Sequence, residues 1–306
     1  MATFFKIIRW PNVMLTILTQ LVIIYGLLIP SGVDPTLNWW QLLLLVMATG
    51  LLTASGNVIN DIYDIGIDQI NKPQKLLVTK RISETSAYNL YFVLTVLAVI
   101  CGFVLSNSLN KPILSSIFIG VAFVLYLYAS SLKAMLLVGN IVISLLVALV
   151  ILITGIFELF PSLTTENQPA FKFLMERLLE FGLMAFLINL AREWVKDCED
   201  VNGDKAGGRN TLAIALGRTR AARLVAIFIL GILILLGWYI YNYVYKNDVI
   251  TYYFIVFIMG PLMFVMIKLW TTATQKEFHI LSTVLKAVLL FGILSIGVIK
   301  INYYLN

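Results

Sequence analysis

Residues 138–157 read Val138-Gly-Asn-Ile-Val-Ile-Ser-Leu-Leu-Val-Ala-Leu-Val-Ile-Leu-Ile-Thr-Gly-Ile-Phe157, without one charged side chain. At about 1.5 Å per residue a helix of this length reaches about 30 Å, the depth of a bilayer's hydrocarbon core. Eight more apolar stretches flank it, at 13–30, 39–59, 86–106, 112–129, 173–196, 221–245, 250–270 and 283–304. Nine candidate spans in 306 residues leave no segment long enough for a separate soluble domain. The expectation is an all-α polytopic membrane protein forming one integral-membrane domain over residues 1–306. Composition agrees: 60% of residues are hydrophobic, 12% are charged and the mean hydropathy is +0.92, where soluble domains run near half and a quarter.

Other classes fall away on residue counts. The two cysteines, Cys101 in an apolar run and Cys198 in a polar one, give neither a disulfide framework nor paired zinc-ligand spacing. A lone histidine, His279, makes no multi-histidine metal centre. The net charge of +6 would suggest nucleic acid on a soluble chain, but here the basic residues crowd into alternate loops, the topology signal of a membrane protein. No nucleic-acid partner is expected. Met1–Pro11 carries two basic residues and no small-residue cleavage site after the first apolar run, unlike a removable signal peptide.

Placing the N-terminus in the cytoplasm puts 17 of the 22 lysines and arginines on that side, with only Lys111, Lys172, Arg177, Lys246 and Lys300 outside. The asymmetry predicts the N-terminus in and the C-terminus out. The six tryptophans lie near span ends, and the tyrosines of 239–245 and 252–253 read as the same interfacial belt.

The acidic residues carry the chemistry. Six of the eight aspartates fall in two short segments: Asp61, Asp64 and Asp68, then Asp197, Asp200 and Asp204. Both triplets are spaced three then four, which sets three carboxylates on one side of a helix. Asn57 extends the first face backwards, and Glu193 with Asn189 extends the second. Each face thus runs from the membrane into the cytoplasm. The triplets follow spans two and six, so two related four-helix halves plus a ninth helix are expected, with Gly66 and Gly203 as points where each helix loosens or ends. Carboxylates at these spacings repel, so a cation is expected between them. Oxygen donors without histidine or paired cysteine indicate Mg²⁺, which carboxylates hold together with substrate phosphates. Lys72, Lys75, Lys80 and Arg81 follow the first cluster, Arg192, Lys196, Lys205 and Arg209 interleave with the second, and Tyr128 and Lys133 lie after span four. Aspartates with Mg²⁺ inside a ring of cations suit a diphosphate.

Asn60-Asp61-Ile-Tyr-Asp64-Ile-Gly-Ile-Asp68 resembles the N-D-x-x-D-x-x-x-D motif of the UbiA superfamily of intramembrane prenyltransferases, and Asp200-Val-Asn-Gly-Asp204 resembles its D-x-x-x-D motif. Order, spacing, span number and length agree over essentially the whole chain. The resemblance implies that Asn60, Asp64, Asp68, Asp200 and Asp204 are the Mg²⁺–diphosphate ligands, with Asp61 and Asp197 in support. It also implies that an isoprenoid diphosphate ionises in a water-poor cavity and that a lipid-soluble acceptor captures the allylic cation.

Arg192-Glu193-Trp-Val-Lys196-Asp197-Cys-Glu199-Asp200-Val-Asn-Gly-Asp204, followed by Thr211-Leu212, is similar to the branch of the superfamily that makes digeranylgeranylglyceryl phosphate, as is the stretch from Tyr128 through Lys133 and Gly139 to Asn140. That branch implies a geranylgeranyl diphosphate donor and a geranylgeranylglycerol phosphate acceptor. Its alcohol needs a base, for which Glu193 and Asp197 are the candidates, with Arg9 and Asn12 as further acceptor contacts. An aromatic quinone precursor is the alternative acceptor. One departure stands out: Asn71-Lys72-Pro73-Gln74-Lys75-Leu76-Leu77-Val78-Thr79-Lys80 replaces the family's N-R-P-x-R-P-I-P-S-G, so the loop's shape and donor selection are not implied. A CDP-alcohol phosphotransferase would pack its aspartates into one short region, and a cation transporter would place them near the midplane. Neither pattern is present.

Overall fold

The computed structural model describes residues 2–32, 34–74 and 76–305, so Lys75 lies outside the described residues. Among the described residues long helices predominate: α1 Trp10–Ser31, α2 Trp39–Tyr63, α3 Glu84–Ser108, α4 Pro112–Ser130, α5 Val138–Leu159, α6 Gln168–Ala206, α7 Arg218–Val244, α8 Asp248–Lys268 and α9 Gln275–Leu305. Among the described residues there is no β-strand, only an isolated bridge between Val78 and Ile82. The helices start where local chemistry allows. Asn38 and Gln41 form a reciprocal capping box at α2, Ser83 caps α3, and Pro11 stands in the first turn of α1, where its missing N–H costs nothing.

Eight of these helices are long and apolar enough to cross a membrane among the described residues: α1 to α5, α7, α8 and, within α9, Gln275–Val298. The other, α6, fails on composition. Glu176, Arg177 and Glu180 lie on one side of its uncharged stretch and Arg192, Glu193 and Lys196 on the other. It is nonetheless 39 residues long, about 58 Å, far more than a crossing needs.

Helix α2 packs along α1, α3 and α4, α5 lies on α6, and α6 also lies on α7 and α9. Four apolar cores result. One joins α6 to α7, α8 and α9, and another joins α1, α5, α6 and α9. The remaining two surround α2 with α3, α4 and the residues before α1. At one end the Glu158 carboxylate accepts the backbone N–H groups of Thr36 (2.9 Å) and Leu37 (3.2 Å), tying α5 to the α1–α2 connection.

Two expectations need correction. Gly203 neither loosens nor ends its helix, which continues to Ala206, and the first helix breaks at Asp64 rather than Gly66. Backbone bonds Asp64 N–H to Asn60 O and Asp68 N–H to Asp64 O carry the helical register across that break. Trp194 is not an interfacial residue: it is buried, its ring 4.8 Å from Phe228, while the other five tryptophans are exposed.

Candidate active site

The two acidic segments meet at one end of the helical assembly. The short helix Ile65–Asn71, which continues from α2, lies against the last turns of α6. Gly203 makes this approach possible: a Cβ there would stand 2.4 Å from Asn71 Nδ2. Asn71 donates to the Asp200 carbonyl at 2.8 Å and accepts from the Gly203 N–H at 2.8 Å. Lys72, the next residue, donates to the Asp200 carboxylate at 2.8 Å.

Arg209, just beyond α6, binds Asp204 at 3.0 Å with one nitrogen and Asp64 with the other. Lys133 reaches the same region from the α4–α5 loop, donating to Asn60 Oδ1 at 2.7 Å and to Asp64. That loop is pressed onto the start of α5, where a Cβ on Gly139 would stand 2.8 Å from the Lys133 Cα. Burial alone would raise the Asp64 carboxyl, but Lys133 and Arg209 outweigh it and hold it at about 2. Asp68 has the opposite setting: burial, then Asp64 and Asp61, push it up to about 6. Among the described residues its carboxylate makes no ion pair.

The predicted residues are therefore gathered, but not around one point. Asn60, Asp64 and Asp204 converge on Lys133 and Arg209, Asp200 sits on Lys72, and Asp68 stands apart. Asp61 pairs with Arg9 at 2.5 Å. Asp197 accepts from Asn140 at 3.2 Å. Glu193 is held by Arg192 at 3.0 Å and Lys196 at 2.9 Å. Among the described residues no three Asp, Glu, His or Cys side chains stand close enough together to hold a metal ion. The donor chemistry still suits a hard cation. All the candidate donors are oxygens, and among the described residues one buried Asp200 oxygen has no hydrogen-bond partner and Asp68 makes no ion pair.

A cavity of about 320 Å³ opens beside this cluster, lined by residues of α1, α2, α4, α5, α6 and α9. Its polar lining includes Asn60, Tyr128, Lys133, Arg9, Asn12 and Arg192. Its interior is walled by Leu52, Leu125, Leu146, Val150 and other apolar groups. Ala185, Leu289 and Ile293 line both this cavity and a second chamber of about 160 Å³ between α6, α7, α8 and α9, where nearly every lining group is apolar.

The sequence did not single out Asn71, Lys286 or the contact of Asn140. Lys286, on α9, lines the cavity and donates to Asn12 Oδ1 at 2.6 Å. A lysine inside an otherwise apolar run was the available signal. In the loop that departs from the family pattern, buried Leu76 and Val78 take the place of the missing prolines, and Lys80 binds the Pro73 carbonyl at 2.7 Å.

Residues 20–296 match the UbiA prenyltransferase family. The chain belongs to that family. It is a prenyltransferase. Among relatives of the UbiA family, the digeranylgeranylglyceryl phosphate synthase of Methanobrevibacter smithii is 34% identical over 217 residues, 71% of this chain and 70% of its own. A solved structure of a digeranylgeranylglyceryl phosphate synthase superposes with a TM-score of 0.63 at 27% identity, covering 97% of this chain and 98% of that one. A UbiA homologue from Archaeoglobus fulgidus, bound to DMAPP and Mg²⁺, shares the fold with a TM-score of 0.58 at 15% identity, over 97% of this chain and 99% of that one.

Proposed function

We propose that this prenyltransferase moves a geranylgeranyl group from its diphosphate to the free hydroxyl of a geranylgeranylglycerol phosphate, an ether-forming step of lipid synthesis. The observation that carries this reading is the cavity itself: a largely apolar space whose lining includes Asn60 and Lys133, which belong to the meeting point of the two acidic motifs, together with Arg9, Arg192, Lys196 and Lys286. The digeranylgeranylglyceryl phosphate synthase relatives support the acceptor, and the A. fulgidus homologue bound to DMAPP and Mg²⁺ supports the donor class and the metal.

Asp64, Asp68, Asp200 and Asp204, with Asn60, are the residues to hold Mg²⁺, which when bound supplies Lewis-acid stabilisation of the departing diphosphate. Lys72, Lys133 and Arg209, which sit on the motif aspartates, would add positive charge beside the diphosphate. The allylic C–O bond breaks and its electron pair leaves with the diphosphate. The apolar walls keep water from the cation, and the acceptor oxygen closes the new C–O bond. Asp197, whose carboxylate accepts a hydrogen bond from the neutral Asn140 and makes no ion pair among the described residues, takes the hydroxyl proton more readily than Glu193, which Arg192 and Lys196 both bind. The isoprenoid chain extends past Ala185 towards the second chamber.

The same reading takes α6 as a ninth crossing, its charged ends at the two interfaces, in one integral-membrane domain of two four-helix halves plus α9. The site then faces the cytoplasm, with the N-terminus inside and the C-terminus outside. Transfer by the purified protein from labelled geranylgeranyl diphosphate, tested on the glycerol phosphate against aromatic acceptors, decides the acceptor. Accessibility labelling of single cysteines placed at Thr274 and Lys246 decides the sidedness.

A further inference from the structure

The cations in and beside the cavity differ in how they are neutralised. Lys72, Lys133 and Arg209 each sit on aspartates of the two motifs, as Arg9 does on Asp61. Arg192, Lys196 and Lys286 form another group, and all three line the cavity. Their carboxylate partner among the described residues is Glu193, shared by Arg192 and Lys196. Three cations against one carboxylate leave an excess of two positive charges.

Within this group Lys286 and Arg192 are incompletely partnered. Lys286 has no carboxylate partner among the described residues, and its ammonium donates to the neutral Asn12 side chain at 2.6 Å. The buried Nε of Arg192 makes no hydrogen bond. Lys286 belongs to the membrane-crossing part of α9, where an ionised side chain is costly and is ordinarily retained for function. A lysine in such a helix can relieve that cost by extending to the interface, but this one turns into the cavity. An orphan N–H and an unpaired ammonium beside a neutral amide are what an anion would satisfy.

We propose that Lys286, with Arg192 and Asn12, forms a second anion site, made of other residues than Lys72, Lys133 and Arg209, that holds the phosphate monoester of the acceptor and selects for it. The assignment rests on the prenyl-transfer reading above and names the recognition device within it. A phosphate monoester carries about −1.5 to −2 charges at neutral pH, which matches the excess, whereas a carboxylate acceptor would leave about one positive charge uncompensated.

The test compares geranylgeranylglycerol phosphate with geranylgeranylglycerol, which has the same chain and hydroxyl but no phosphate, using the purified enzyme, Mg²⁺ and geranylgeranyl diphosphate. Wild type is expected to favour the phosphorylated acceptor in kcat/KM. Lys286→Met is expected to cut that preference about tenfold or more, the scale of one charge-assisted hydrogen bond, through a higher KM for the phosphorylated acceptor. The KM for the donor and turnover on the uncharged acceptor should stay within about twofold, and Lys286→Arg should keep most of the preference. Unchanged donor KM shows that the variant is folded. If Lys286→Met retains the full preference, or loses both acceptors in parallel, the second anion site is wrong while prenyl transfer to the glycerol lipid stands. If wild type uses neither acceptor, the functional reading itself fails and takes the site with it.

Discussion

Arg209 donates to Asp204 at 3.0 Å from one guanidinium nitrogen while the other binds Asp64, so a single side chain spans the two acidic motifs. All three side chains are at least nine-tenths buried. An ammonium cannot reproduce a planar two-pronged contact. Arg209→Lys should therefore fold but lose about 10- to 100-fold in kcat/KM, the scale of one charge-assisted hydrogen bond. Arg209→Ala leaves the buried Asp204 carboxylate unpaired, while Asp64 keeps Lys133, and should cost about 3–5 kcal/mol of stability, read as a lower thermal midpoint in detergent. Equal stability of the two variants would contradict this role.

Asn71 and Gly203 form the second link between the motifs. Gly203→Ala places a methyl where the Asn71 amide lies, so that amide must leave its bonds to Asp200 and Gly203. We expect a loss of about 1–3 kcal/mol together with reduced turnover. Adding Asn71→Ala should relieve the clash, so the double variant costs less than the two single changes summed. Strict additivity in a double-mutant cycle would show that the two residues do not share this contact.

Asp68 is the cleanest probe of the proposed metal site. Its folded-state pKa is raised to about 6 by burial and by Asp64 and Asp61. A raised carboxylate pKa contributes stability below the unfolded-state value, and that contribution is lost as pH rises through the folded-state value. In Mg²⁺-free detergent at pH 7.5, Asp68→Asn should hold or raise the thermal midpoint, with the gain vanishing below about pH 4. The same variant should be nearly inactive because an oxygen of the proposed Mg²⁺ site is gone. Asp64→Asn, by contrast, strips Lys133 and Arg209 of their shared partner and should lose stability as well as activity. A destabilised Asp68→Asn would show that this carboxylate has a structural partner.

Ala185 stands where the main cavity meets the apolar chamber. Ala185→Phe should close that junction and lower kcat/KM for geranylgeranyl diphosphate about tenfold or more, while geranyl diphosphate is affected less. The scale is that of displacing a few buried methylenes at about 0.8 kcal/mol each. A uniform loss on both donors would place the isoprenoid chain elsewhere.

The fold was legible where apolar length alone decides, as in Val138–Leu159. It was least legible in α6, because a helix carrying site charges at one end and Glu176, Arg177 and Glu180 at the other offers no uncharged run of crossing length. The motif aspartates were legible from their spacing. How they pair was not: that Arg209 bridges Asp64 and Asp204 and that Lys72 takes Asp200 depends on the approach of two helices some 130 residues apart in sequence. Asn71 and Lys286 left no periodic signal, since each is a single polar residue that tertiary contact alone turns inward. Gly203 suggested a helix end from its residue type, yet it serves the close approach of Asn71.

The most direct measurement is a product assay with the purified protein in Mg²⁺-containing bilayers, supplied with labelled geranylgeranyl diphosphate and either geranylgeranylglycerol phosphate or an aromatic quinone precursor. The account predicts a labelled ether lipid phosphate and free diphosphate in equal amounts, abolished by chelation and restored by Mg²⁺, with little transfer to the aromatic ring. Efficient transfer to the ring with none to the glycerol phosphate, or turnover that survives thorough chelation, would contradict it.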